Sequence, residues 1–255
     1  MKFFSIVTIC RNDLPGLKRT LASLDLQTLE DYEWIVVDGN SNDGTKEWLA
    51  SLTDFKWISE PDKGIYDAMN KGIRMAEGTY LIFMNSNDLF ASSSVLENSR
   101  KLLLENRLPV FAFGDSIDVD ETGKEYYRKA KEYQKNRIGM ITQHQAMFFN
   151  RVKISPFEYD PKYPLSGDYA LISNIIKVTR ASDILKLSIP ICKFTMGGLN
   201  ESKRFEAIKE DYRIRKEIMR LPAYWNLTLY LLHYLHGKLK QIKPETRFIR
   251  HENLN

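Results

Sequence analysis

Apolar runs that stop abruptly at polar clusters recur through the N-terminal half of the chain. Phe3-Phe-Ser-Ile-Val-Thr-Ile-Cys ends in Arg11-Asn-Asp13. Glu33-Trp-Ile-Val-Val leads into Asp38-Gly-Asn-Ser-Asn-Asp-Gly-Thr45. Thr79-Tyr-Leu-Ile-Phe-Met delivers Asn85-Ser-Asn-Asp88. Short apolar runs bounded by turn residues read as buried strands. Helical stretches lie between them, so the pattern predicts a parallel sheet with all its polar strand ends on one edge. In such sheets that edge lines the ligand crevice. A simpler reading stays open at each end, because Asn, Ser and Asp also favour turns through local hydrogen bonds.

The predicted elements follow in order. Phe3–Ile9 is a strand, and Pro15–Gln27 is a helix capped by Asn12 or Asp13 with Pro15 in its first turn. Trp34–Val37 is a strand, Thr45–Leu52 a short helix and Lys56–Ser59 a strand. Ile65–Glu77 is a helix closed by Gly78, Tyr80–Met84 a strand and Ser94–Asn106 an amphipathic helix. The pattern then changes. Val110–Asp118 and Lys124–Lys129 flank the turn Asp120-Glu-Thr-Gly123 and predict a hairpin. Lys129–Ile141 reads as an irregular loop over the site, Gln145–Asn150 as a buried strand and Asp168–Thr179 as a helix. Ile184–Phe194 holds one or two strands around Pro190. Glu201–Arg220 and the stretch from Pro222 to about Gln241 are helical. No internal repeat or low-complexity linker interrupts the 255 residues.

Composition adds limits. With 43% apolar and 27% charged residues the chain suits a globular domain with an ample core. The two cysteines, Cys10 and Cys192, lie in apolar runs without metal-like spacing and read as buried thiols. No secretory signal and no run of ~20 apolar residues is expected. The net charge of +4 is modest, and no nucleic-acid partner is expected. The charge is uneven: the segment from Glu201 holds 12 Lys and Arg against 7 Asp and Glu.

The three strand-end clusters, together with Glu60-Pro-Asp-Lys-Gly-Ile-Tyr-Asp-Ala-Met-Asn-Lys-Gly72, resemble the family 2 glycosyltransferases over roughly the first 200 residues. The likeness is strongest to the branch that builds bacterial surface polysaccharides. It implies an α/β protein of the GT-A fold: a Rossmann-like, mostly parallel central sheet flanked by helices, with a small antiparallel element and a helical C-terminal extension. Residues 1–200 would form the transferase domain, with 1–108 as the nucleotide-sugar half, 109–200 as the acceptor half and 201–255 as the extension. The implied reaction is inverting transfer of a sugar from a nucleotide-diphosphate donor, UDP-sugars favoured, to a hydroxyl of a glycan or lipid-linked glycan.

The resemblance also assigns roles. Thr8 would meet the base or ribose, and Asp38 would accept from the nucleobase. Its motif keeps only the first of two consecutive family aspartates, and a turn role for Asp38 stays open. Arg11, Asp62 and Lys63 are candidates for the diphosphate, while Asn70, Lys71 and Gly72 match the family but suit helix–sheet packing equally. Asn85, Ser86, Asn87 and Asp88 replace the family's DXD-type motif, leaving Asp88 as the carboxylate ligand for Mg2+ or Mn2+. Asp168 matches the family's general base, with helix capping beside Ser166 as the alternative. Gln143-His144-Gln145 resembles the branch's His-Gln pair, placing His144 near phosphate or acceptor. Tyr66, Trp57 and Tyr169 could stack on sugars or belong to the core.

The aromatic, leucine-rich stretch 222–243 ends in lysines. Such a helix can lie in a membrane interface, which would place a cytoplasmic enzyme on the inner face of the membrane. Packing against its own domain or a second subunit is the other reading. Two competing functions remain. A nucleotidyltransferase would show a Gly-rich loop after the first strand, but Ile9-Cys-Arg-Asn-Asp-Leu-Pro-Gly16 has one glycine. A non-catalytic nucleotide-sugar or glycan-binding relative is favoured by Asn85 and Asn87, and opposed by Asp88 together with Asp168.

Overall fold

Seven consecutive buried residues make β1 (Phe4–Cys10) the spine of the sheet. The computed structural model describes residues 2–154, 158–196, 203–242 and 252–253. β1 pairs in parallel with β2 (Tyr32–Asp38) on one side and β4 (Tyr80–Phe83) on the other, and β3 (Lys56–Ser59) extends the sheet beyond β2. The connections carry α1 (Leu14–Asp25), α2 (Thr45–Ala50) and α3 (Ile65–Met75). Strands covered on both faces need unbroken apolar runs, which is why these segments do not alternate in polarity.

Alternate side chains feed two cores. Phe4, Ile6, Cys10, Trp34, Val36 and Tyr80 pack on one face with Leu17 and Leu24 of α1 and Leu49 of α2. α4 (Val95–Glu105) adds Leu96 and Leu103 there. Val7, Ile9, Ile35, Val37 and Phe83 face the other way, onto Met69 and Ile73 of α3 and Leu171 and Ile175 of α5 (Gly167–Val178). Each fully buried aliphatic side chain contributes roughly 1.5–3 kcal/mol, so both helical layers are firmly held.

α3 comes so close to β1 that a Cβ on Gly72 would lie 2.4 Å from Val7 Cγ1. The family-matching glycine therefore serves packing. Gly78, expected as a left-handed helix cap, does something else. α3 stops at Met75 with Ala76 extended, and Gly78 lies where a Cβ would come within 2.7 Å of the Ser5 backbone nitrogen. Close approach, not helix termination, requires glycine there.

Beyond β4 the sheet turns antiparallel. β8 (Met147–Asn150) pairs with β4, β6 (Phe111–Val119) with β8, and β7 (Glu125–Arg128) with β6. Asp120 holds the β6–β7 turn by accepting from the Thr122 and Lys124 amides, with Gly123 at φ 83°. β9 (Ile184–Thr195) is one strand, parallel to β6, whose register slips opposite Pro190. A proline cannot donate to a ladder, and a bulge accommodates it. β5 (Leu89–Phe90) pairs with β9, and β10 (Glu252–Asn253) with β7. The expected loop 129–141 contains a 3-10 turn, Tyr133–Arg137, and buttresses α5: Asn136 Nδ2 donates to Ser173 Oγ at 3.0 Å, and the Tyr169 hydroxyl to the Asn136 carbonyl at 2.7 Å. α6 (Arg204–Glu217) and α7 (Ala223–Ile242) complete the described chain. Tyr163, Tyr169 and Ala170 pack with Ile214 and Ile218, so α6 is bonded into the domain at α5.

Candidate active site

The polar end of β4 forms a tight turn bolted to α1. The Asp88 amide donates to the Asn85 carbonyl at 3.0 Å, and Asn87 takes φ 71°, a left-handed conformation that Asn tolerates better than most residues. Asn87 Oδ1 accepts from Arg19 Nε at 2.8 Å, and Ser86 donates to Asp13 Oδ2 at 2.7 Å. Asp13 also caps α1 through the Gly16 amide at 3.1 Å. The Thr20 hydroxyl reaches the Asn85 and Asp88 carbonyls at 3.1 and 3.0 Å. Asn87 and Ser86 thus serve the turn, while Asn85 and Asp88 turn inward.

Inward, three distant segments meet. Asn85 Nδ2 lies 3.0 Å from His144 Nε2. His144 Nδ1 is 3.9 Å from Asp168 Oδ2. Asp168 Oδ1 accepts from the Tyr169 amide at 2.8 Å and lies 3.2 Å from the Tyr66 hydroxyl. Burial lowers the His144 pKa, with the nearby Asp168 carboxyl opposing the shift. The ring is therefore neutral near pH 7. Asp168 occupies the first turn of α5, where the amide dipoles favour negative charge.

Asp88 is buried and accepts from Gln145 Nε2. Burial pushes its carboxyl from 3.8 up to about 7, against the lowering effect of the Gln145 and Thr195 hydrogen bonds. Two buried acceptors, Gln145 Oε1 of the residue bonded to Asp88 and Asn85 Oδ1 of the same turn, have no donor. Hard, neutral oxygens next to one carboxyl suit a divalent cation, though with only a single formal charge. No cluster of three or more His, Cys, Asp or Glu occurs among the described residues.

A second group lies at the ends of β1 and β2. Asp38 is fully buried, and both its oxygens are taken: Ser59 Oγ donates to Oδ2 at 2.6 Å, the Ser41 amide to Oδ2 at 3.1 Å, and Ser41 Oγ to Oδ1. In this structure both Asp38 oxygens serve the turn through Ser41 and the neighbouring strand through Ser59. Thr8 is likewise buried, its hydroxyl accepting from Trp34 Nε1 at 2.9 Å. It points into the core because it shares the face of Ile6 and Cys10. Burial holds the Cys10 thiol up at about 11, despite the Asp13 and Ser86 hydrogen bonds that lower it, so the thiol stays protonated.

Arg11 is exposed beside Gly39, where a Cβ would come within 3.3 Å of Arg11 Cδ and 2.8 Å of Asp62 Oδ2. Asp62 pairs with Lys71 Nζ at 2.6 Å, and Lys71 also reaches Glu60 at 2.9 Å. Lys63 is exposed, its amide donating to Asp67 Oδ2 at 3.0 Å. Asn70 clamps the Tyr159 backbone through both its amide atoms, at 2.9 and 2.7 Å. Of the aromatics considered for sugar stacking, Tyr66 and Tyr169 are buried and Trp57 is half-buried. Tyr66 stacks on Tyr159 with centroids 4.9 Å apart, the Tyr169 ring is buried, and Trp57 packs against the first core. Sequence reasoning missed the partners Gln145, Arg19 and Tyr66. Gln145 stood next to His144 in the quoted triplet, whereas nothing in the sequence links Tyr66 to Asp168 across 102 positions.

The sequence profile of Glycosyl transferase family 2 matches residues 5–159. An uncharacterized glycosyltransferase of Mycobacterium tuberculosis (strain CDC 1551 / Oshkosh) is 28% identical over 225 residues, covering 85% of this chain and 84% of its own. A PGL/p-HBAD biosynthesis glycosyltransferase of Mycobacterium bovis (strain BCG / Pasteur 1173P2) is 28% identical over 197 residues, covering 72% and 75%. Among solved structures, S. aureus TarS 1-349 in complex with UDP superposes with a TM-score of 0.66 at 16% identity, over 90% of this chain and 70% of that one. The mannosyltransferase PcManGT from Pyrobaculum calidifontis, in complex with GDP-Man and Mn2+, gives 0.58 at 16% identity, over 91% and 69%. The structural likenesses establish the GT-A fold, and the profile establishes the family. The chain belongs to glycosyl transferase family 2.

Proposed function

We propose that this glycosyltransferase is inverting. It moves a sugar from a nucleotide-diphosphate donor, UDP-linked by preference, to a hydroxyl of a glycan or lipid-linked glycan in bacterial surface polysaccharide synthesis. The observation that carries the reading is the position of Asp168. Its carboxyl is fixed through Oδ1 by Tyr66 and the Tyr169 amide, while Oδ2 faces His144 and the β4 end. A base held on one oxygen keeps the other for a proton. Asp168 Oδ2 takes the acceptor hydroxyl proton as that oxygen bonds to the anomeric carbon, and the bond from that carbon to the diphosphate breaks on the opposite face. One displacement inverts the centre.

His144, bonded to Asn85 through Nε2, turns its Nδ1 toward Asp168 Oδ2 at 3.9 Å. Asp88, with the donorless oxygens of Asn85 and Gln145, would hold Mn2+ or Mg2+. Such a cation supplies charge compensation at the departing diphosphate. The ligands bound by relatives support this reading: UDP and UDP-GlcNAc in TarS, GDP-Man with Mn2+ in PcManGT. Arg11 and Lys63, exposed near Gly39 and α3, remain the proposed diphosphate contacts. We further propose that 222–243, described to Ile242, touches the inner membrane face. No helix of the described residues is long and apolar enough to cross a membrane.

A second reading, a non-catalytic relative, is favoured by the buried, already bonded Asp38 and the neutral Asn85 and Asn87. Thermal shift with UDP, GDP, dTDP and CMP, each with Mn2+, Mg2+ or EDTA, paired with turnover of Asp168→Asn, separates the two. A diphosphate-specific shift lost in EDTA, with turnover abolished in Asp168→Asn and donor binding spared, is expected. Binding without turnover in the unaltered protein would establish the second reading.

A further inference from the structure

We infer that Glu210, on α6, is a positioning residue for Asp168, holding the peptide unit that aims Tyr66 at the base. This rests on the reading of Asp168 as the base. The first amides of a helix lack partners within it, and the N-cap of α5, Ser166, makes no side-chain cap of its own. Glu210 instead ties the N-cap amide and the one before it to another element. Its Oε2 accepts from the Leu165 amide and the Ser166 amide, each at 2.9 Å, and the residue is only 8% exposed. A carboxyl group so buried is tolerable because it is hydrogen-bonded.

The Ser166 N–H and the Leu165 carbonyl belong to one planar peptide unit. Glu210 holds its N–H side. On its other side the Leu165 carbonyl lies 3.1 Å from the Tyr66 hydroxyl, which is also 3.2 Å from Asp168 Oδ1. The single Tyr66 hydroxyl proton is shared by these two acceptors, so rotating that peptide would remove the carbonyl that fixes the hydroxyl in place, turn the proton wholly onto Asp168 Oδ1 and shift the carboxyl. Gly167 follows directly, and a Cβ there would press into the Tyr66 ring at 2.7 Å, so the contact leaves no slack. Glu217, further along α6, fastens the same segment at its start: its Oε2 accepts from the Tyr163 hydroxyl at 2.7 Å and from Lys162 Nζ. The family profile ends at residue 159, short of α5 and α6. The helical extension is, on this inference, part of the catalytic apparatus.

The test compares Glu210→Ala, Glu210→Gln and Lys209→Ala, an exposed neighbour on the same helix. Release of nucleoside diphosphate is measured from UDP-GlcNAc, UDP-glucose and GDP-mannose with water as acceptor. Hydrogen–deuterium exchange over 163–170 is followed in parallel. A misplaced base costs on the order of 10- to 100-fold in rate. Glu210→Ala should therefore lose roughly that much kcat, with donor KM within about twofold, and exchange faster over 163–170. Glu210→Gln, whose amide oxygen can accept the same two N–H groups, should recover most of the rate, and Lys209→Ala should match the unaltered protein. Unchanged kcat in Glu210→Ala despite faster exchange would overturn the inference. So would a Glu210→Gln variant as impaired as Glu210→Ala, which would mark general structural damage. Asp168→Asn in the same assay keeps the two ideas apart. Full turnover there removes the base reading whatever Glu210 does. If the unaltered protein turns over none of these three donors, the positioning role is judged on exchange alone, and unchanged exchange over 163–170 in Glu210→Ala would overturn it.

Discussion

At the scale of single residues, burial decides what each polar group can do. Asp88 shows this most plainly, since only 5% of it is exposed and its carboxyl titrates near 7 instead of 3.8. A group whose folded pKa lies above its unfolded one binds more protons when folded, so it stabilises at low pH and loses that contribution as pH rises through the folded value. Between about pH 4 and pH 7 the decline is on the order of a few kcal/mol, at about 1.4 kcal/mol per unit. Asp211, pushed up to about 6 by burial, adds a decline of the same sign. Melting temperature followed from pH 4.5 to 8 should therefore fall more steeply in the unaltered, cation-free protein than in Asp88→Asn. Parallel curves would show that Asp88 is already ionised at low pH. The identity of Asp88 was legible in the sequence, and so was its strand end. Its titration was not, because it is set by burial and by hydrogen bonds from Gln145 and Thr195, which lie far along the chain. Thr8 and Asp38 make the same point in reverse: both sit where the pattern put them, and packing turned both inward.

Among elements, the start of α5 carries the most consequence. Its helical span, 167–178, was legible to within a residue from apolar spacing and the Ser-Gly-Asp start. Why position 167 must be glycine was not, since the reason is the Tyr66 ring arriving from α3. Adding one methyl group in Gly167→Ala leaves the α5 backbone acceptable but forces Tyr66 to move. Overpacking of this kind costs typically 1–3 kcal/mol. The expected result is a modest loss of melting temperature with a larger loss of turnover, because the displaced hydroxyl no longer steadies Asp168. Equal turnover per folded molecule would show that Tyr66 is a core residue only. The Gly78 misreading has a similar origin. A glycine after a helical pattern suggests a cap, yet here the backbone of β1 had claimed the space.

At the scale of the molecule, α7 is anomalous. One side packs on α6, where Asn226 Oδ1 accepts from the fully buried Arg215 at 2.8 Å. The other side presents Tyr224, Leu227, Leu231, Leu235 and Ile242 to solvent, with Leu235 63% exposed. No Asp or Glu lies in this helix, while Lys238 and Lys240 stand near its end. An apolar stripe with a basic end suits an anionic bilayer interface. Flotation with phosphatidylcholine vesicles containing phosphatidylglycerol should carry the protein upward. Leu231→Glu combined with Leu235→Glu should abolish this and leave catalysis on soluble substrates intact. A concentration-dependent dimer with no flotation would mean that a second copy covers the stripe instead.

The sequence by itself determined the alternation of strands and helices, the polar edge of the sheet and the segments that supply Asn85, Asp88, His144 and Asp168. Those are local properties: apolar runs, turn residues and caps act over a few positions and can be read in order. Only the tertiary structure decided which side chains face a crevice and which face a core. It alone set His144 between Asn85 and Asp168, consumed Asp38 in its own turn, and brought Glu210 of α6 to the peptide ahead of Asp168. The physical reason is that direction, burial and partnership depend on contacts between residues far apart in the chain, and no local pattern encodes what will arrive from the other side.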